Sequence, residues 1–334
     1  MNFQMWAKAL RIIPRIEKDE WQKLDVISKW LISTRAAVLI MTFLSAAIAG
    51  IFAFRAGAFE FWPWLLVALG LVLAHATNNL FNDYTDFVRG VDKDNYYRAQ
   101  YGPQPLVHGL MSKRELLTYD AVTGLLAAAC GLALVWYRGG YTLLFMALGA
   151  FFVLFYTWPM KYIALGEIAV LIVWGPLMIG GGYYTITGNW DWYVVLASLP
   201  YALGVTTVIF GKHVDKYEVD KTKGIHTLPV VIGEKAGRYT IVAMMALQYL
   251  AVAYLALTGF FTPVMAVVLL ALPDFFKRIL PLYRAPKPAE KPAGYPDVWP
   301  NYFVAAAFVN NRTFGLWFLL GLIADSVLKV WVLK

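Results

Sequence analysis

Residues 62–92 read WPWLLVALGLVLAHATNNLFNDYTDFVRGVD, an apolar run that ends in a ladder of amides and carboxylates. A helix crossing the hydrocarbon core of a bilayer needs about 20 mostly apolar residues, and the first part of this stretch supplies them. If the helix continues, His75, Asn79, Asn82, Asp83 and Asp86 follow spacings of three and four and share one face. Such a polar stripe is costly against lipid, so it is expected to face a cavity inside the protein. The stretch thus predicts a membrane-spanning element with chemistry at one end.

Composition extends that reading to the whole chain. Of 334 residues, 60% are apolar and 15% charged, and the mean hydropathy is +0.58. Soluble domains are less apolar and carry more charge, so lipid is the expected solvent. Apolar runs predict nine spans, near 34–55, 62–82, 116–137, 141–158, 163–186, 192–211, 239–261, 263–283 and 313–333, with 299–311 as an interfacial helix or the start of the last span. The expected fold is therefore all-α, a polytopic membrane protein. The single Cys130, in an apolar run, permits no disulfide framework. The opening MNFQMWAKALRIIPRIEKDEWQ lacks the apolar core and cleavage site of a signal peptide. Residues 1–30 alternate basic positions with Trp6, Leu10, Ile13, Ile16, Trp21 and Leu24, and read as amphipathic helices on the cytoplasmic interface. Residues 31–334 read as one transmembrane domain.

The net charge of +8 is explained by topology. Of the 29 Lys and Arg residues, 24 fall in the N-terminal segment, the 83–115 loop, the 158–162 turn, the 210–238 loop and the 277–291 segment. Only Arg55, Arg138, Lys329 and Lys334 belong to the opposite face, and Arg312 lies near a boundary. This asymmetry predicts a cytoplasmic N-terminus and cytoplasmic long loops, and leaves no basic patch for nucleic acid to explain.

A second acidic stretch follows the sixth expected span: Lys212-His-Val-Asp215-Lys216-Tyr-Glu218-Val-Asp220-Lys-Thr-Lys-Gly224. Asp215 and Glu218 share a helical face, and Asp220 lies partly round it. Hard oxygen ligands of this kind suit Mg²⁺, which takes few carboxylates alongside substrate phosphate oxygens. Arg89, Arg98, Lys212 and Lys216, interleaved with the two clusters, would neutralise the rest of a diphosphate.

The two clusters resemble a known family. Asn82-Asp83-x-x-Asp86-x-x-x-Gly90-x-Asp92 is similar to the first aspartate motif of the UbiA superfamily of intramembrane prenyltransferases, with a spacing closer to the menaquinone branch than to the ubiquinone branch. Asp220-Lys-Thr-Lys-Gly224-Ile-His-Thr227-Leu-Pro229 resembles the second motif, and Tyr156-Thr157-x-Pro159-x-Lys161 leading to Leu165-Gly166-Glu167 is a third match. The resemblance runs from about Arg35 to Gly233; the last three spans match in hydropathy only. It implies a nine-helix bundle around a central cavity capped by cytoplasmic loops, in a prokaryotic plasma membrane. It further implies Asp83, Asp86, Asp92 and Asp220 at Mg²⁺, with Asp215 or Glu218 completing the second site. Asp83, Asp86, Asp220 and Lys161 would carry catalysis, while Asn79, Asn82, Arg89, Arg98, Lys212 and Lys216 would bind prenyl diphosphate. Tyr156, Lys161 and Glu167 would place the acceptor.

Two departures stand out. The residue four before Asp220, where the family pattern has a carboxylate, is Lys216. The Gly-rich loop Gly102-Pro-Gln-Pro-Leu-Val-His-Gly109 lacks the Arg of the menaquinone type, a place Arg98 would take.

The expected activity is transfer of a polyprenyl group from its diphosphate to an aromatic acceptor such as a dihydroxynaphthoate. Two Mg²⁺ ions, or one with basic side chains, would stabilise the leaving diphosphate. A different acceptor (lipid glycerol, tetrapyrrole or sugar phosphate) or cyclisation of the prenyl chain is the alternative. A transporter is disfavoured, because the carboxylates cluster at one face and not at the midplane. Prenyl chain length and oligomeric state are left open.

Overall fold

A computed structural model describes residues 1–91 and 102–332. Asp92 and Arg98 lie outside the described residues. Apart from one isolated bridge between Ile163 and His226, the described residues form helices and connections.

Three short helices open the chain: α1 (Phe3–Arg11), α2 (Lys18–Gln22) and α3 (Val26–Ser33). Helices α4 (Ala36–Arg55), α5 (Phe61–Val88), α6 (Lys113–Arg138) and α7 (Thr142–Phe155) follow. Next come α8 (Gly166–Thr187) and α9 (Trp192–Asp215), then α10 (Tyr217–Thr222) and α11 (Leu228–Ile232), and finally α12 (Glu234–Leu257) and α13 (Phe303–Trp331). Seven of these, α4, α5, α6, α8, α9, α12 and α13, are long and apolar enough to cross a membrane.

The two other expected spans take different forms. The run near 141–158 becomes the 14-residue α7. Residues 263–283 wind as successive 3₁₀, α and π turns. Pro263 opens the stretch, where Pro is tolerated, but Pro273 and Pro281 lie inside it; each removes a backbone donor and crowds the carbonyl four residues earlier, so no uninterrupted α-helix forms there. Residues from Phe303 onward belong to the last helix, which makes it longer than the expected 313–333.

The chain divides into two compact units, one of residues 1–44 and 65–158, the other of residues 45–64 and 159–334. In the first, part of the apolar surface of the N-terminal helices is covered by protein. Met5, Ala9, Ile16, Trp21, Leu24, Leu31 and Ile32 pack with Ala76, Leu80, Leu106, Met111 and Leu116 in one core. Asp25 pins this arrangement. Its carboxylate accepts from the Asn2 N–H at 2.8 Å, the Trp6 indole at 3.1 Å, and the Ser28 N–H at 3.0 Å and hydroxyl at 2.9 Å. Helix α6 starts on a capping box, Ser112 and Glu115 each bonding the other's backbone N–H.

In the second unit α9 is the central element, packed against α8, α12 and α13. Its most apolar window is 83% buried, as expected of a helix apolar on every side. Arg55 and Lys329, two of the few basic residues assigned to the other membrane face, also have internal partners here. Arg55 lies 3.1 Å from the buried Asp325 and donates to the Phe260 carbonyl, and Lys329 donates to the Gly259 and Phe260 carbonyls at 2.8 and 2.7 Å.

Candidate active site

The first polar cluster is built on α5 at the positions its helical period selects. Asn79, Asp83 and Asp86 are buried. Asp83 forms an ion pair with Arg35, at the α3–α4 junction. Arg35 holds φ at 55°, a left-handed conformation uncommon for a residue with a side chain. That conformation ends α3, and the Asp83 ion pair anchors the residue that adopts it. Asn79 donates to the Thr34 carbonyl at 2.8 Å, Asn82 donates to the Thr157 hydroxyl at 3.0 Å, and His75 Nδ1 lies 2.7 Å from the Thr42 hydroxyl. Asn78 donates to the Val153 carbonyl at 2.9 Å, so this amide joins α5 to α7. Arg89 is exposed, with its guanidinium 4.5 Å from the centre of the Trp158 ring.

The second cluster, wholly within the other unit, lies at the end of α9 and in α10. Lys216 Nζ is 3.0 Å from Asp220 Oδ1, and both residues are buried. Asp215 points a different way. Its oxygens accept the N–H groups of Tyr302, Phe303 and Val304 at 2.9, 3.0 and 3.0 Å, where the backbone enters α13. These are donors that a helix start leaves without intrahelical partners, and the positive end of the helix dipole favours a carboxylate there. Gly211, one turn earlier on α9, makes the approach possible. A Cβ at that position would come within 3.0 Å of the Phe303 and Val304 backbone. Lys287 supports the junction, donating to the Asp215 and Pro300 carbonyls at 3.2 and 3.1 Å. Burial first, then the Asp215 charge, pushes the Tyr295 hydroxyl up to about 12.

Glu167 and Lys161 are both buried. Glu167 Oε1 is 2.6 Å from His213 Nδ1, and the Leu228 N–H points at both Glu167 oxygens from 3.2 and 3.3 Å. This clamp joins α8, α9 and the start of α11. Lys161 sits in a 3₁₀ turn, 5.8 Å from the Tyr162 ring centre. Tyr156 and Lys212 are half-buried and Glu218 is exposed.

Geometry therefore separates the expected residues into different roles. Asp83, Asp86, Asn79 and Asn82 share one polar stripe, and Asp220 is paired with Lys216. Of the two residues expected to complete the second metal site, Asp215 is occupied in holding α13, and Glu218 lies exposed on α10. Among the described residues, no three His, Cys, Asp or Glu side chains gather as a ready-made metal site. Arg35, Thr157, His213 and Lys287 were not among the candidates drawn from sequence. A lone basic residue at a span entrance reads as a snorkelling side chain, and its carboxylate partner lies 48 positions away.

The UbiA prenyltransferase family model matches residues 42–299. The chain belongs to the UbiA prenyltransferase family. It is 28% identical over 232 residues to the UbiA prenyltransferase domain-containing protein 1 homolog of Drosophila melanogaster, covering 64% of this chain and 59% of that protein. Against UbiA prenyltransferase domain-containing protein 1 of Homo sapiens it is 27% identical over 209 residues, covering 58% of each. The chain thus spans about six tenths of the length of these curated relatives, which are animal proteins, whereas the sequence reading expects a prokaryotic membrane.

A solved structure described as a UbiA homolog from Archaeoglobus fulgidus bound to GPP and Mg²⁺ has the same fold. Its TM-score is 0.58 at 19% identity, over 89% of this chain and 99% of that one. A structure described in connection with digeranylgeranylglyceryl phosphate synthase gives a TM-score of 0.60 at 17% identity, over 90% and 98%.

For this UbiA family chain the donor set of the first cluster fits Mg²⁺. Asp83 and Asp86 offer only hard oxygens, one turn apart on α5, and Mg²⁺ needs just one or two carboxylates when phosphate oxygens and water fill the rest of its octahedron. The second cluster does not offer two such carboxylates: Asp215 caps a helix, Glu218 is exposed, and Asp220 is left with a Lys one turn away where the resemblance expects a carboxylate.

Proposed function

We propose that this protein transfers a polyprenyl group from a prenyl diphosphate to a small acceptor within a membrane, with Mg²⁺ as cofactor. The buried pair Asp83 and Asp86 carries the reading: two carboxylates one turn apart on α5, the first held by Arg35, supply the hard oxygens that Mg²⁺ takes beside phosphate oxygens. Family membership supports the transferase class. Bound Mg²⁺ would neutralise charge developing on the departing diphosphate.

The chain's own residues supply the remainder. Asp83 and Asp86 would hold the ion, and Asn79 and Asn82, already anchored through Thr34 and Thr157, would fix the face on which it sits. Asp220 and the basic residues Lys161, Lys212 and Lys216 would bind and orient the diphosphate, with Arg89 at its exposed edge. The apolar interior would exclude water from the allylic cation until a nucleophile captures it. Glu167 is recast as a support for the α8–α11 junction.

The acceptor of first choice is an electron-rich aromatic ring of the quinone-precursor type, such as a dihydroxynaphthoate, on the spacing of the first motif. The Lys216 substitution and the Gly-rich loop without Arg favour testing other acceptors beside it. Purified protein in lipid nanodiscs would be incubated with geranylgeranyl diphosphate, Mg²⁺ and a panel of naphthoate, benzoate and glycerol-phosphate acceptors, with products read by mass spectrometry. A prenylated naphthoate formed only with Mg²⁺ is the expected product. A prenylated glycerol phosphate would move the protein to another acceptor class, and no Mg²⁺-dependent consumption of the diphosphate would refute the proposal.

A further inference from the structure

The second acidic motif contains its own cation. Asp220 is buried, and Lys216, one turn earlier and also buried, places its ammonium 3.0 Å from Asp220 Oδ1. That oxygen makes no hydrogen bond in the structure, so the pair is held by charge and proximity, not by an aligned bond. The neighbouring carboxylates offer no second ligand. Asp215 is saturated by three backbone N–H groups at the start of α13, and Glu218 is exposed. A divalent ion at Asp220 would find one carboxylate in place of two, with a buried ammonium where the second would stand.

Resting on the prenyl-diphosphate reading above, we infer that Lys216 takes the place of a second divalent ion, so that this chain binds one Mg²⁺, at the Asp83 and Asp86 cluster. Asp220 then acts through Lys216, holding the ammonium where it can donate to a diphosphate oxygen, and is a positioning residue, not a metal ligand. The exchange is neutral in charge: one carboxylate with an ammonium sums to zero, as two carboxylates with a divalent ion do.

The number of ions tests this without turnover. The full-length protein in nanodiscs would be titrated with Mn²⁺ in the presence of geranyl S-thiolodiphosphate, an unreactive analogue, and bound Mn²⁺ counted by electron paramagnetic resonance. One ion per chain is expected, and two would overturn the inference while leaving the prenyl-diphosphate reading intact. Lys216→Arg should keep one ion and near-parental analogue affinity. Lys216→Ala should weaken the analogue by roughly tenfold or more, the value of a lost charge-assisted bond. Lys216→Asp, which restores a pair of carboxylates one turn apart, should gain a second ion. Unchanged analogue affinity in Lys216→Ala would overturn the inference. Analogue binding indifferent to both Mn²⁺ and Asp86→Ala would overturn the prenyl-diphosphate reading along with it.

Discussion

Two buried aspartates at helix ends, Asp86 and Asp215, look alike in sequence and differ in what surrounds them. Asp86 lies on the polar stripe of α5, one turn from the Arg35-paired Asp83. Asp215 accepts three N–H groups where the chain enters α13. Their alanine variants should therefore separate function from stability. Asp86→Ala is expected to lower prenyl transfer by at least about 100-fold, the scale of removing a group that stabilises transition-state charge, with little change in the midpoint of thermal unfolding in detergent. Asp215→Ala is expected to cost about 2 kcal/mol or more of stability, the upper range for a helix cap, while the protein that remains folded keeps its Mn²⁺ stoichiometry. The assignment fails if the Asp215 variant is as stable as the parent but has lost its metal.

At the scale of elements, the N-terminal helices are an attached part of the first unit. Their buried residues share a core with α5 and α6, while Phe3, Leu10 and Ile12 remain exposed. The joint between α1 and α3 is electrostatic. Burial opposes ionisation of Asp25, but hydrogen bonds from Ser28, Trp6 and Asn2 outweigh it and hold the carboxyl well below the usual carboxylate range. A carboxyl depressed on folding stabilises the folded state above its unfolded value, near 4. That contribution is lost as pH falls from there toward the folded value. Amide exchange in residues 3–11, corrected for intrinsic rate, should accordingly rise as pH drops below about 4, and Asp25→Asn should show raised exchange already at pH 7. Equal protection of α1 in the Asn variant at neutral pH would remove Asp25 from this role.

For the whole molecule, the sorting of Lys and Arg predicts the side of the membrane each loop occupies. Arg89→Cys and Lys223→Cys, both at exposed positions, should react with a membrane-impermeant maleimide from the cytoplasmic side. Arg138→Cys, at the far end of α6, should react from the other side. Labelling of Arg89→Cys and Lys223→Cys from opposite faces would contradict the topology.

Length and hydropathy alone determined that this is a membrane protein of long helices, because a helix bonds its own backbone inside lipid and needs about 20 apolar side chains to cross it. Helical period likewise determined that Asn79, Asn82, Asp83 and Asp86 share a face, since that face depends on spacing within a single element. The local chemistry of Pro273 and Pro281 was also present in the letters, but hydropathy counts them as part of a span, and only the folded backbone shows the interruption. What each carboxylate does was decided by tertiary structure. Arg35 reaches Asp83 across 48 positions, His213 reaches Glu167 across 46, and the start of α13 reaches Asp215 across more than 80. A carboxylate is a ligand, a cap or half of an ion pair according to which donor lies within about 3 Å, and that donor comes from a part of the chain whose position no local pattern encodes.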